Sequence, residues 1–401
     1  MSRSRSPFHL ALALDGAGWH PGVHTARTDR DALSLPAWRR AVRLAEDAGF
    51  DLVTFEDTFG APAAGPDGRR RPRLDAHTVA AALSTATDHI GLVPTVTVTH
   101  TEPYHVAIRT ATLDHTTRGR SGWQVRISPG HAESRLTGTR SVPDPGPDGA
   151  DSPAVLDLLE EAAAVVETVR DTWDSWEDDA VVRDVATGRF LDADRLHRVD
   201  AETRWFSVAG PSVVPRPPQG QPVVAALAHG PAAYALAARA ADLVLVTPAT
   251  AAHAAAIVAE VREAERVEGR SGEPLRILAD LLVVLGRDEE EALERLRSLD
   301  AAAGAGLASD AAVVAGTADQ LADRLERLRA AGIQGVRLRP AENAVDLPLV
   351  DAALVPELVR RGLRRTGYVG TTLREQLGLT RPENRFVSRT RRPADVVVQP
   401  V

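Results

Sequence analysis

The side chains of this chain that can do chemistry are few, and all carry oxygen or nitrogen. Cysteine is absent, which removes disulfides, thiolate metal sites and cysteine nucleophiles. Asp57 follows the apolar run DLVTF; a carboxylate there either meets a ligand at a strand end or caps the helix behind it. Thr95, Thr97 and Thr99 alternate with Val96 and Val98, so in an extended segment their hydroxyls share one face. Any half-polar strand alternates in this way, so the pattern alone does not define a site. His20 and His24 have the spacing of metal ligands but lack a third ligand nearby. Among His100, His105 and His115, the first falls near a strand end and the last reads as structural. Trp123 reads as core, and the acidic run 174–179 as a solvated face. Gly16, Gly18 and Gly22 lack the strand–turn–helix context of a dinucleotide fingerprint. No nucleophile–base pair stands out, and no catalytic or metal-binding residue is assigned.

The elements that must position these groups alternate. Apolar runs at Phe8 to Leu14, Asp51 to Phe55, Ile90 to Val98, Gly122 to Ser128, Pro222 to Ala228, Leu243 to Val246, within Leu275 to Leu285, and Gly335 to Leu338 read as strands. Helical spacing covers Pro36 to Ala48, Asp75 to Thr87, Pro103 to Gly119, Pro153 to Trp173, Pro231 to Ala241, Ala251 to Glu268, Glu289 to Ala302, Thr317 to Ala331 and Val350 to Arg361. Continuous apolar strands between amphipathic helices describe a parallel sheet covered on both faces. Eight such units predict an α/β fold of the (β/α)8 TIM-barrel kind. Residues 1–379 form one expected domain, with an excursion at 174–221 carrying a hairpin around Ala186-Thr187-Gly188, and 380–401 a C-terminal tail. The segment after Arg364 is expected to pack along the outside. Loops at 60–73 and 129–152 are rich in Pro and Gly and are expected to border the pocket.

The 401 residues are 44% hydrophobic, enough for a large core, and the net charge is −8 with every basic side chain an arginine. Acidic and basic residues are interspersed, which argues against a nucleic-acid or membrane surface. No apolar run reaches the roughly 20 residues of a membrane span, and the N-terminal run breaks at Asp15-Gly16 without a cleavage signal. A cytoplasmic protein is expected.

The stretch TEPYHVAIRTATLDHTTRGRSGWQVRIS, Thr101 to Ser128, resembles the bacterial luciferase-like flavin monooxygenases, in particular the nitrilotriacetate and sulfone monooxygenase branch. DTWDSWEDDAVVRDVATG, FSVAGP, LAARAAD, GTADQLAD and Val355 to Gly378 extend the resemblance over nearly the whole chain, in order. It implies a barrel that is usually dimeric, with itself or a paralogue. It also implies reduced FMN supplied by a separate flavin reductase, with O2 and a small organic substrate as the other reactants. Because the chemistry belongs to the flavin, the protein needs few acid–base groups. On this resemblance Asp57 contacts the flavin, and Thr97, with Thr95 and Thr99 on the same face, faces its ring.

The phosphate end departs from the family. The family's His-x-x-x-Tyr pair falls on Ser152 and Leu156, and an arginine becomes Val155. Its Gly-Ala-Ser loop reads Ala228-His229-Gly230, so the phosphate serine is Gly230, and Ala-Gly-Arg reads Ala232-Ala233-Tyr234. Gln124 stands for an asparagine and Ile127 for a threonine. Asp300 to Ala315 is shorter than in the family, thinning a lid. His229 and the Gly230 amide at a helix start are the expected substitutes as cofactor contacts, with Arg126 or Arg135 in reach. The alternative is a flavin-poor paralogue acting as a partner subunit or binding protein; a deazaflavin cofactor fits less well.

Overall fold

The computed structural model describes residues 8–60, 71–138 and 140–387; most of the 60–73 loop and the end of the 380–401 tail lie outside them. Along the chain run β1 (His9–Leu14), β2 (Leu52–Phe55), β3 (Gly91–Thr97), β4 (Gly122–Arg126), β5 (Val181–Asp184), β6 (Arg189–Leu191), β7 (Asp200–Glu202) and β8 (Ser207–Ala209). There follow β9 (Val223–Leu227), β10 (Leu243–Val246), β11 (Arg276–Leu285), β12 (Ala312–Gly316) and β13 (Gly335–Pro340). The parallel order β10-β9-β4-β3-β2-β1-β13-β11 is closed by pairing of β10 with β11. This is the (β/α)8 barrel that the alternation predicts. Its strands are buried on both sides, as their unbroken apolar runs require.

The helices are α1 (Ala26–Ala32), α2 (Leu35–Asp47), α3 (Ala76–Leu83), α4 (Pro103–Thr116), α5 (His131–Thr137), α6 (Pro153–Asp174), α7 (Pro231–Ala240) and α8 (Ala251–Val267). After them come α9 (Glu289–Ala303), α10 (Ala318–Ala330), α11 (Asn343–Leu349), α12 (Val355–Arg360) and α13 (Leu373–Gln376). No helix among the described residues is long and apolar enough to cross a membrane. In α4, Pro103 sits in the first turn, where its missing amide has no intrahelical partner to lose. Val106, Ala107, Thr110 and Ala111 face inward against α6, whose Trp173 indole donates to Ala107 O at 3.0 Å. The sequence LDH…GRSGW gains its meaning here. Buried Asp114 accepts from Ser121 N (3.2 Å), Ser121 Oγ (3.0 Å) and Gln219 Nε2 (2.6 Å). It thereby ties α4 to the start of β4 and to the end of the excursion. The excursion is two hairpins, β5–β6 and β7–β8, the first turning at Ala186-Thr187-Gly188.

Three expectations are corrected. The closing helix expected at 350–361 is instead a wider turn over Val350–Leu354, continuing from α11, followed by α12. Part of the 300–315 stretch belongs to a strand: β12 pairs with the far half of β11, from Leu281 to Leu285, outside the ring. The segment after Arg364 does not pack along the outside. Arg364 and Arg365 pair with buried Asp51. From there α13 turns into the amino-terminal mouth of the barrel, where Leu373, Leu377 and Leu379 pack on Ala11, Leu52, Val93 and Leu278. Gly91 makes room: a Cβ there would lie 2.6 Å from a Leu373 methyl.

Candidate active site at the carboxyl ends of the strands

With one mouth stoppered, polar side chains gather toward the other. Arg337 and Arg339 are two residues apart on β13 and therefore share its inward face. Asp280 on β11 receives both. It accepts Arg337 Nε at 2.8 Å and Arg339 Nε at 2.9 Å, while Arg339 Nη1 reaches Asp310 at 2.6 Å. Arg337 Nη1 completes its set on Gln124 Oε1 (2.7 Å), Thr54 Oγ1 (3.0 Å) and Glu56 Oε1 (3.2 Å). The Arg339 guanidinium lies 4.6 Å from the centre of the Trp19 ring.

Buried charges persist only when paired. Burial opposes ionisation of Asp280, but the two guanidiniums outweigh it and hold the carboxyl below its ordinary range. At Glu56 the balance reverses: burial raises its pKa beyond what Arg337 and Arg339 pull back. The two guanidiniums thus face Asp280, Asp310 and a third carboxyl whose ionisation burial opposes, so the charges of the layer are paired with one another.

Beside this layer lies a cavity of about 290 Å³ whose walls include Asp57, Phe59, Arg73, Thr95, Thr97 and Thr101. Asp57 and Thr97 therefore come together. Asp57 also does the structural work open to it: its oxygens accept the Ala76 amide that begins α3 (2.8 Å) and the Thr58 amide (2.7 Å). Burial raises its pKa against those two hydrogen bonds. Thr97 Oγ1 accepts Arg126 Nη1 at 3.1 Å, and Arg126 is held in turn by Glu133 at 3.3 Å. Burial would raise the Glu133 carboxyl, but hydrogen bonds from Thr58, Ser128 and Arg126 bring it down to about 2. Thr95 Oγ1 is buried and finds no partner among the described residues. A buried hydroxyl without a partner is uncommon and calls for an occupant. Both ring nitrogens of His100, packed edge-on to Phe59 at 5.9 Å, are likewise without a partner among them.

Other expected site residues lie elsewhere. Thr99 is a correction: β3 ends at Thr97, and Thr99 falls in the turn Val98–His100. Its Oγ1 accepts the Ser128 amide at 3.0 Å, which anchors the loop after β4. His229 and Gly230 stand at the end of β9 and do not line the cavity. His229 Nδ1 lies 3.1 Å from Thr247 Oγ1, and its Nε2 lies 3.5 Å from Asp310 Oδ2. Gly230 leads into α7 with no side-chain cap, and the space where its Cβ would stand is open. Ser152 caps α6 by accepting the Val155 amide at 3.3 Å, while Leu156 is exposed. His20 and His24 serve loops, pairing with Asp300 (3.1 Å) and Asp29 (3.3 Å). Among the described residues no group of three or more His, Cys, Asp or Glu is placed to hold a metal. The sequence reading missed Arg337, Arg339, Asp280, Glu56 and Trp19; the available signal was the charge alternation in GVRLRP. A second cavity, about 250 Å³, lies outside the barrel between α2 and α11, lined by Trp38, Ala41, Leu44 and Leu347. None of the polar strand-end groups reaches it.

A family profile described as luciferase-like monooxygenase matches residues 16–335. Nitrilotriacetate monooxygenase component A of Aminobacter aminovorans is 29% identical, across 92% of this chain and 94% of that protein. One of the subunits of pristinamycin IIA synthase from Streptomyces pristinaespiralis is 39% identical, over 57% of this chain and 68% of that one. Among solved structures, a long-chain alkane monooxygenase superposes with a TM-score of 0.83 at 23% identity, covering 97% of this chain and 100% of the other. That last likeness speaks to the fold.

Proposed function

The chain belongs to the luciferase-like monooxygenase family, and from that premise we propose that it is the oxygenating component of a two-component FMN-dependent monooxygenase. Reduced FMN from a separate reductase and O2 would oxygenate a small organic substrate in the cytoplasm. The observation that carries the reading is the cavity in which Asp57 and Thr97 meet the Thr95 hydroxyl, which has no partner among the described residues. A flavin ring presents donors and acceptors along one edge of a flat apolar body, which suits a wall where Asp57, Thr95 and Thr97 stand beside Phe59, Leu74 and Val96. When bound, the flavin supplies the redox chemistry with O2. The chain's own part is to hold the ring, through Asp57, Thr95 and Thr97, and to keep water out. The closed charge layer serves the second purpose, since groups already paired with one another have little need of solvent. A partner chain, either a second copy or a paralogue, completes the proposed assembly; that the pristinamycin relative is one subunit of a larger synthase supports the paralogue.

Titration of the purified protein with oxidised and reduced FMN, followed by absorbance and flavin fluorescence, tests the proposal. Micromolar binding that weakens in Asp57→Asn and Thr95→Val supports it. The threonine change should cost about 1 kcal/mol of binding, roughly a fivefold rise in Kd, by removing one hydrogen bond. It should leave folding stability nearly unchanged, because the Thr95 hydroxyl has no partner to lose among the described residues. Absence of binding at several hundred micromolar would sink the proposal. It would favour the flavin-poor paralogue acting as a partner, a reading that rests on Leu156 and Gly230 at the phosphate positions.

A further inference from the structure

The groups that would meet the far end of a flavin are as informative as those around its ring. A phosphate dianion is held by charge-assisted donors, above all arginines able to offer two parallel N–H groups. Among the described residues, four guanidiniums around the strand ends are already engaged. Arg73 places one nitrogen 2.9 and 3.0 Å from the two oxygens of Asp15. Arg126 holds Glu133 and Thr97. Arg140 is paired with Glu161, and Arg339 with Asp280 and Asp310. A dianion approaching these guanidiniums competes with a carboxylate already in place. Arg135 lies on the exposed surface of α5, where attraction is screened by solvent.

The corner before α7 offers little more. Pro231 has no amide to give, Gly230 has no side chain, and His229 is turned to Thr247 and Asp310. Asp310 adds a carboxylate where a dianion would want a cation. The Ser152 hydroxyl accepts the Val155 amide, which leaves a single neutral O–H to give. Ring-end groups fit a flavin, and these phosphate-end groups do not fit a phosphate.

We infer that this protein recognises its flavin by the ring and not by the 5′-phosphate, so that riboflavin is nearly as good a ligand as FMN. The inference rests on the flavin reading above and specifies which flavin the site accepts. It also makes a structural forecast. Gly230 is extended, at φ 168°, a conformation any residue adopts, and no described atom lies within 4 Å of the position its Cβ would take. A serine there is accommodated without strain and presents a hydroxyl beside the first free amides of α7.

The test compares FMN, riboflavin and lumiflavin on the full-length protein, oxidised and anaerobically reduced, with Kd read from fluorescence quenching and absorbance. We expect riboflavin within about fivefold of FMN, which corresponds to under about 1 kcal/mol for the phosphate. We expect Gly230→Ser to tighten FMN about tenfold while leaving riboflavin unchanged. FMN binding tenfold or more tighter than riboflavin in the unmodified protein overturns the inference while leaving the flavin reading intact. An equal change for both ligands in Gly230→Ser overturns the placement of the phosphate at this corner. Failure of all three ligands to bind overturns the flavin reading itself, and this inference with it.

Discussion

Replacement of Asp280 by asparagine keeps the shape of the buried layer and removes one of its two charged carboxylates. Asp280 is fully buried and, among the described residues, is the only side chain that bonds both Arg337 and Arg339. Among the described carboxylates, asparagine would leave Arg339 facing only Asp310, which is itself partly exposed, and Arg337 facing only Glu56. Removing one partner from a buried ion pair costs about 3–5 kcal/mol. Glu56 supplies a partial correction. It lies 3.2 Å from Arg337, and burial raises its pKa; with Asp280 neutralised, it is the acidic group left beside that cation. With a urea m-value of about 3 kcal/mol/M, the net loss lowers the unfolding midpoint by about 1 M. The assay is urea unfolding of Asp280→Asn, Glu56→Gln and the double variant at neutral pH. Because Glu56 rescues only the asparagine variant, the double variant should lose more than the sum of the singles by about 0.5–3 kcal/mol. Strict additivity, or a midpoint shift under about 0.3 M for Asp280→Asn, would refute the picture of a closed charge layer.

Leu373→Ala should destabilise by about 2–5 kcal/mol by opening a cavity in the amino-terminal mouth, measured by denaturant unfolding, while leaving FMN affinity at the opposite mouth unchanged. The pH dependence of stability should carry the signature of His77. Burial and the Arg109 charge lower its pKa to about 4, against a hydrogen bond to Arg109 O that raises it. A base whose pKa is depressed on folding stabilises the fold above its unfolded pKa, near 6.5, and loses that contribution as pH falls toward 4. Unfolding midpoints taken from pH 7 to pH 4 should fall more steeply for the parent than for His77→Gln; parallel curves would contradict the assignment.

The barrel was legible because its strands are apolar on both faces and its helices carry spaced apolar stripes, two signals that survive without tertiary information. What failed shows where such signals end. Leu373-Arg374-Glu375-Gln376 is a single turn, too short for periodicity, and it is buried only because a barrel mouth exists to receive it. β12, five residues long, carries partly exposed side chains and has little pattern of its own. Asp57 and Thr97 could be placed because each sits at or just beyond the end of a strong strand. Thr99 could not, because a tight turn took the chain off the strand two residues earlier than alternation implies. Arg337, Arg339 and Asp280 were missed because a charge in a strand reads as a solvent-facing residue. Their burial depends on partners on neighbouring strands, and only the closed ring brings those together.

The seating of α13 bears on how the chain acquires its shape during synthesis. β1 pairs with β13, and Asp51 waits for Arg364 and Arg365, more than three hundred positions later in the chain. The early strands leave the ribosome with their inward leucines uncovered, and they stay so until the last elements emerge. Contacts this distant in sequence form slowly, since loop closure must come before the packing that rewards it. An open half-barrel is therefore an obligatory stage, with sheet edges and an apolar lumen that invite association with other chains. Yield in the cell should thus respond to translation rate and chaperone supply more than to the stability of the finished barrel.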